Sequence, residues 1–194
     1  MIRRLRGLPP LDVLAAMYPE PHDHRLYGRG HHERVEATIA LAVDTIHPGD
    51  REVVADLSCG NAVIPRAIAA RRRELHLGDL AGVRDLQPSE EGYLGPIEET
   101  VELLPGGVDV FVCSETLEHL DDPTYVLRRI RSRSQRLVLS TPLECWDDGN
   151  PEHLWAWDRD GVELLLDDWT VEAFTSVDSR EYGEPYLYGI WVAA

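Results

Sequence analysis

The run Val53-Val54-Ala55-Asp56 breaks into Leu57-Ser58-Cys59-Gly60-Asn61-Ala62 and continues as Val63-Ile64-Pro65-Arg66-Ala67-Ile68-Ala69-Ala70. The first part is apolar and β-branched, which suits a short buried strand. The last part carries apolar residues at helical spacing, with Pro65 in a first helical turn. Strand, tight turn and helix in that order build the corner of an open α/β sheet. There the free amides of a helix N-terminus meet a ligand's carboxylate or phosphate. Gly60 lets the backbone come close to such a ligand. Two common versions of this corner are excluded. A phosphate loop needs a lysine, and all 19 basic residues of this chain are arginine. A dinucleotide fingerprint needs three glycines, of which Gly60 is the single one present.

A second apolar stretch, Glu74 to Asp79, reads as the next strand and ends on an acid 19 positions beyond Gly60. A carboxylate at that spacing can accept from both hydroxyls of a ribose, although a Gly-Asp pair also suits a plain turn. Val108 to Ser114 is suited to a buried parallel strand, and Glu115-Thr116-Leu117-Glu118-His119-Leu120 follows it. Asp122 and Pro123 then cap a helix that turns Tyr125, Val126, Leu127 and Ile130 inward and Arg128, Arg129, Arg131 and Arg133 outward. Gln135–Ser140 is a further strand, and Asp158 caps a helix running toward Trp169. Val35, Ile39, Ala42, Val43 and Ile46 share one face of a helix from about 31 to 45. Residues 80–96 and 144–157 read as loops, and 1–30 as an irregular arm with one short helix from Leu11 to Tyr18. His22 and His24 flank an acid in that arm, where a surface loop is the simpler reading than a metal site.

Asp56, Cys59 and Gly60 resemble motif I of the class I S-adenosylmethionine (SAM) dependent methyltransferases; Ser58 and Ala62 stand where that motif has its outer glycines. The run Val-Asp-Val-Phe-Val-Cys-Ser-Glu-Thr-Leu-Glu-His-Leu resembles the same family's strand ending in a Glu-x-x-Glu-His-Leu turn. The resemblance covers residues 31–194, with 1–30 as an arm or lid. It implies an α/β, Rossmann-like, doubly wound sheet of seven strands with helices on both faces, parallel except for the last strand, which closes an antiparallel hairpin. It implies SAM as cofactor, with Asp56, Leu57, Ser58, Cys59, Gly60 and Asn61 at the methionine end. Asp79 and Leu80 would then lie at the ribose, Glu98 at the adenine, and Ser114 and Glu115 beside the methyl group.

The expected reaction is methyl transfer to a hydroxyl or amine of a small molecule. Glu115, His119 and His153 are the candidate catalytic side chains, since a hydroxyl acceptor must lose its proton. A competing resemblance is to the metal-dependent RNA 2′-O-methyltransferases, through Glu115, Glu118, His119 and a later His153 before Trp155 and Trp157. One helical turn would put the first three on one face, and such a donor set suits manganese, iron or zinc. The metal-free reading is preferred. A third possibility is a SAM-binding protein without activity. The formal net charge of −16 opposes nonspecific nucleic-acid binding. Three cysteines without metal-type spacing, no signal-like N-terminus and no membrane-length apolar run fit a cytoplasmic protein.

Overall fold

The computed structural model describes residues 1–10, 13, 16–17, 19–21, 23, 27–69 and 74–194. The expected helix from Leu11 to Tyr18, the His22 and His24 pair and the helix tail at 70–73 fall wholly or largely outside them. In chain order the strands are β1 (Ile2–Arg4), β2 (Val53–Asp56), β3 (Glu74–Asp79), β4 (Glu90–Leu94), β5 (Val108–Ser114), β6 (Ser134–Leu143), β7 (Trp155–Trp157), β8 (Val171–Asp178) and β9 (Leu187–Ala193). The α-helices are α1 (Arg29–Thr45), α2 (Val63–Ile68), α3 (Ile97–Thr100), α4 (Pro123–Arg131) and α5 (Arg159–Leu165).

Seven strands form one sheet in the order β4-β3-β2-β5-β6-β9-β8. Strands β2 to β6 pair in parallel, while β9 runs antiparallel to both β6 and β8. The order reverses between β2 and β5, so a crevice opens at the C-terminal ends of those strands. The expected doubly wound sheet with an antiparallel last strand is thus the observed one.

Each strand of the parallel centre is buried on both faces, which is why Val53–Asp56 and Val108–Ser114 read as continuous apolar runs and not as alternations. Leu57, Phe111, Cys113, Leu139 and Trp191 pack on one face with α4 and α5. Val54, Leu75, Val110, Val112 and Val138 pack on the other with α1 and α2. Asp122 caps α4 by accepting from the Tyr125 amide at 2.9 Å, and Asp158 caps α5 by accepting from Gly161 at 2.8 Å.

Four local readings are corrected. The 80–96 stretch contains β4, whose Glu90-Glu91-Gly92-Tyr93-Leu94 lacks an apolar run because an edge strand is covered on one side only. Residues 144–157 end in β7, which pairs antiparallel with β1 from the arm, Ile2 opposite Trp157. That pairing joins segments far apart in the chain, and no local pattern of three residues could announce it. Val43 and Tyr125 face solvent; the Tyr125 hydroxyl reaches Glu102 at 3.4 Å. Among the described residues no helix is long and apolar enough to cross a membrane.

Candidate functional site

At the C-terminal end of β2 the chain makes the sharp turn that the sequence announces. Gly60 and Ala62 both take left-handed backbone angles, φ 52° and 58°. Glycine adopts this at no steric cost, and alanine pays a small one. The Cys59 amide donates to Gly78 O at 2.9 Å, which locks the turn onto β3. Gly78 lets the two strands approach closely: a Cβ there would lie 3.2 Å from the Leu57 Cα, so a side chain would press on the turn. The Gly60 amide donates to Asp79 Oδ2 at 2.9 Å and the Ala81 amide to Oδ1 at 3.2 Å. Those bonds fix the carboxylate while leaving each oxygen a further lone pair.

Asp56 is 2% exposed and accepts from the Ser58 amide at 3.1 Å. Burial pushes its pKa up to about 8, the Ser58 amide opposes this, and the nearby Asp79 charge adds to it. Burial likewise raises the Cys59 thiol, so this cysteine is a small apolar packing group and not a nucleophile. Ser58 Oγ lies 2.6 Å from Thr116 Oγ1, joining the β2 turn to the turn after β5. Asn61 donates to Asp23 of the arm at 3.0 Å.

A cavity of about 790 Å³ runs over these turns, and Leu57, Ser58, Cys59, Gly60, Asp79, Leu80, Glu98, Ser114, Glu115, His119 and His153 all line it. Asp56 and Asn61 stand behind the loop and not in the lining. Glu98 sits in the first turn of α3; burial raises its pKa, with Asp121 and Glu99 adding to the effect.

The far end of the cavity holds the groups that can move protons. Glu115 has φ 53°, and its amide donates to Ser140 O at 2.9 Å. Its carboxylate accepts from Ser140 Oγ at 3.2 Å and lies 3.9 Å from Arg34 Nε. Burial raises the Glu115 pKa, opposed by Arg34 and His153. Glu118 is 1% exposed; Thr141 Oγ1 donates to its Oε2 at 3.0 Å, while Oε1 has no hydrogen-bond partner among the described residues. Burial and the Glu115 charge hold its pKa well above the carboxylate range. His119 Nδ1 lies 3.1 Å from Glu152 O and His153 Nδ1 lies 2.6 Å from Asp148 Oδ2; the two rings meet edge to face at 4.9 Å.

Donor atoms of Glu118, His119 and His153 lie within 4.8 Å of one another. Glu115 does not join them. The chain after β5 makes a left-handed residue and then a 3-10 turn, Leu117–His119, so the one-face argument for Glu115, Glu118 and His119 fails.

Three participants escaped sequence reasoning. Arg34 is buried on α1 and donates to Ser114 Oγ at 2.6 Å and Ser140 Oγ at 3.0 Å. Its position was readable, because Arg34, Thr38 and Ala42 step by four along the inward face. Tyr188 lies under that guanidinium at 5.4 Å. Asp148 sits in Asp147-Asp148-Gly149-Asn150, which reads as an ordinary turn.

No protein-family model matches the chain, and no curated protein matches it by sequence. Solved structures do match in fold. The 1,6-didemethyltoxoflavin-N1-methyltransferase of Burkholderia thailandensis, with 1,6-didemethyltoxoflavin and S-adenosylhomocysteine bound, is 18% identical. That match covers 99% of this chain and 93% of the other, with a TM-score of 0.65. The N-methyltransferase NodS of Bradyrhizobium japonicum, in complex with S-adenosylhomocysteine, is 12% identical over 86% of this chain and 88% of its own, TM-score 0.64. The [4+2]-cyclase SpnF is 12% identical over 97% of both chains, TM-score 0.68.

Proposed function

We propose, from a fold that is that of the class I SAM-dependent methyltransferases, that this chain binds SAM and transfers its methyl group to a hydroxyl or amine of a small molecule. Fold alone does not carry the reaction, since a [4+2]-cyclase shares it. The observation that carries it is the cavity itself. One end presents the Gly60 turn and the fixed Asp79 carboxylate, and the other presents Glu115, Glu118, His119 and His153. The residues fit SAM: Asp79 keeps lone pairs for two ribose hydroxyls, and the volume lies within the roughly 300–1,000 Å³ of small-molecule sites.

When bound, SAM supplies a sulfonium-activated methyl group. The protein's share is alignment and proton transfer. Arg34, Ser114 and Ser140 hold the end of β5, and Glu115 borders the acceptor. The net charge of −16 and a lining rich in carboxylates favour a small molecule over RNA.

Asp79→Ala is expected to weaken S-adenosylhomocysteine binding by about 1–3 kcal/mol, the scale of lost charge-assisted hydrogen bonds. Titration calorimetry measures it. Parent protein that bound neither SAM nor S-adenosylhomocysteine would remove the assignment, and Asp79→Ala binding like the parent would move the ribose contact elsewhere.

The competing reading is metal-dependent methyl transfer, and the convergence of Glu118, His119 and His153 is the observation on its side. Elemental analysis of untagged protein, purified without added metal, is expected to find no stoichiometric ion. Methyl transfer is then expected to persist in chelator. One manganese, iron or zinc per chain, lost in Glu118→Ala, would replace the first reading with the second.

A further inference from the structure

Two segments without a task so far also line the cavity: Tyr27, Gly28 and His31 at the start of α1, and Glu184, Tyr186 and Tyr188 where the chain enters β9. They are locked to each other. Glu184 Oε1 accepts from the Gly30 amide at 2.9 Å, the Tyr182 hydroxyl donates to Glu33 at 2.6 Å, and the Ser179 amide donates to Tyr186 O at 2.9 Å. Gly28 and Gly30 make room for the carboxylate: a Cβ at Gly30 would lie 2.7 Å from Glu184 Oε2, and one at Gly28 would collide with Oε1. Oε2 accepts no hydrogen bond among the described residues. One oxygen thus holds the seat, and the other is left for a ligand.

Charge selects what that ligand can be. The carboxylates of this end are Glu115, Glu118, Glu152 and Glu184, against one arginine, Arg34, whose buried guanidinium already donates to Ser114 and Ser140. Glu118 Oε1 is buried in the same lining with no hydrogen-bond partner among the described residues. Burial raises the Tyr188 pKa; the Glu115 charge adds to it, Arg34 opposes it, and Glu118 and Glu184 add again. Burial raises Tyr27 as well, with the Glu152 charge adding. The rings therefore stand neutral in a negative field. Carboxylates beside neutral aromatic faces attract an organic cation and repel a carboxylate or phosphate. A metal ion is the other cation to weigh, but the donor group that suits one is Glu118, His119 and His153, and Glu184 is not part of it.

We propose that the methyl acceptor carries an ammonium group, and that Glu184, with the rings of Tyr27, Tyr186 and Tyr188 beside it, is the residue that anchors it. This rests on the methyl-transfer reading above and names the class of its acceptor. An ammonium nitrogen has no lone pair with which to attack. The group is therefore a handle, and the methyl goes to a different hydroxyl or amine of the same molecule. Glu184 sets specificity and touches no reacting atom.

Titration calorimetry on the full chain tests this, in chelator so that no metal ion takes part. The probes are phenethylammonium and tyramine, their neutral counterparts 2-phenylethanol and tyrosol, and the anion phenylacetate. With S-adenosylhomocysteine at saturation, the two ammonium probes are expected to bind the parent about tenfold or more tighter than the matched alcohols, and phenylacetate is expected not to bind. Glu184→Gln keeps an oxygen for the Gly30 amide and removes the charge. It is expected to bring ammonium and alcohol within about twofold of each other, with S-adenosylhomocysteine affinity within about twofold and melting within about 2 °C of the parent. Glu184→Asp is expected to recover part of the preference, which a helix-capping role alone would not do. Ammonium probes that bind no better than the alcohols, or not at all, would overturn the proposal, and so would a preference that survives in Glu184→Gln. The parent's preference decides the ligand class even where a variant does not fold. Repeating the titrations without S-adenosylhomocysteine separates the two readings. An ammonium preference in a protein that binds neither SAM nor S-adenosylhomocysteine would keep this site and remove the reaction; S-adenosylhomocysteine binding without the preference would do the reverse.

Discussion

Asp56→Asn is expected to remove a large part of the pH dependence of this protein's stability. Asp56 is buried at the end of β2 with its pKa raised from 3.8 to about 8, mostly by burial. Between those values the folded chain keeps the proton and the unfolded chain releases it. Unfolding therefore releases a proton, and stability falls as pH rises from about 4 through 8, levelling off above the folded value. The whole window is worth on the order of 5 kcal/mol, a large share of the roughly 5–15 kcal/mol that holds a domain together. Glu115 and Glu118 carry shifts of the same sign, so the informative quantity is parent minus variant. Urea unfolding of ligand-free protein at pH 5 and pH 8 should show the parent losing several kcal/mol more than Asp56→Asn across that interval. Equal losses would mean that Asp56 is ionised and solvated in the native state. The same linkage bears on function: a cationic ligand beside the Gly60 turn favours the Asp56 carboxylate, so SAM should bind more tightly at pH 8 than at pH 6.

The central sheet was legible because its strands are buried on both faces and leave unbroken apolar runs, as Val53–Asp56 and Val108–Ser114 do. The tight turn at Gly60 and the acid at the end of β3, Asp79, were legible because turn geometry restricts which residues can stand there. What stayed hidden depends on contacts between distant segments. β4 is an edge strand with Glu90 and Glu91 where a core strand would carry valines. Asp148 acquires its meaning only when the loop after β6 folds back and sets it against His153. Glu115 lines the cavity, but the single helical turn that the metal reading requires does not form: the backbone goes left-handed at Glu115, and Arg34 and Ser140 face its carboxylate. Spacing rules hold only inside the element they presuppose.

Removing residues 1–6 is expected to lower the melting temperature by about 10 °C, although the sequence presents them as part of an irregular arm. In the structure β1 pairs with β7 over three residue pairs, and the Leu5 amide donates to Leu154 O at 2.7 Å. Ile2 packs against the core that contains Trp157, and the Arg4 guanidinium lies 5.2 Å above the Trp155 ring. Loss of one partly buried isoleucine costs about 1–2 kcal/mol, and each lost hydrogen bond about 0.5–1.5 kcal/mol. The sum, on the order of 3–5 kcal/mol, corresponds to the stated shift for a domain of this length. The effect should reach the site as well. The Leu154 amide donates to Glu118 O at 2.6 Å and His153 is its neighbour, so releasing β7 loosens the same loop that sets the histidine. Calorimetric melting of the truncated and full chains, with and without S-adenosylhomocysteine, measures both consequences. A truncated protein melting within about 2 °C of the parent would show that β1 only lies against the sheet domain. A drop that the ligand fully restores would place the strand's role in closing the cavity and not in holding the core.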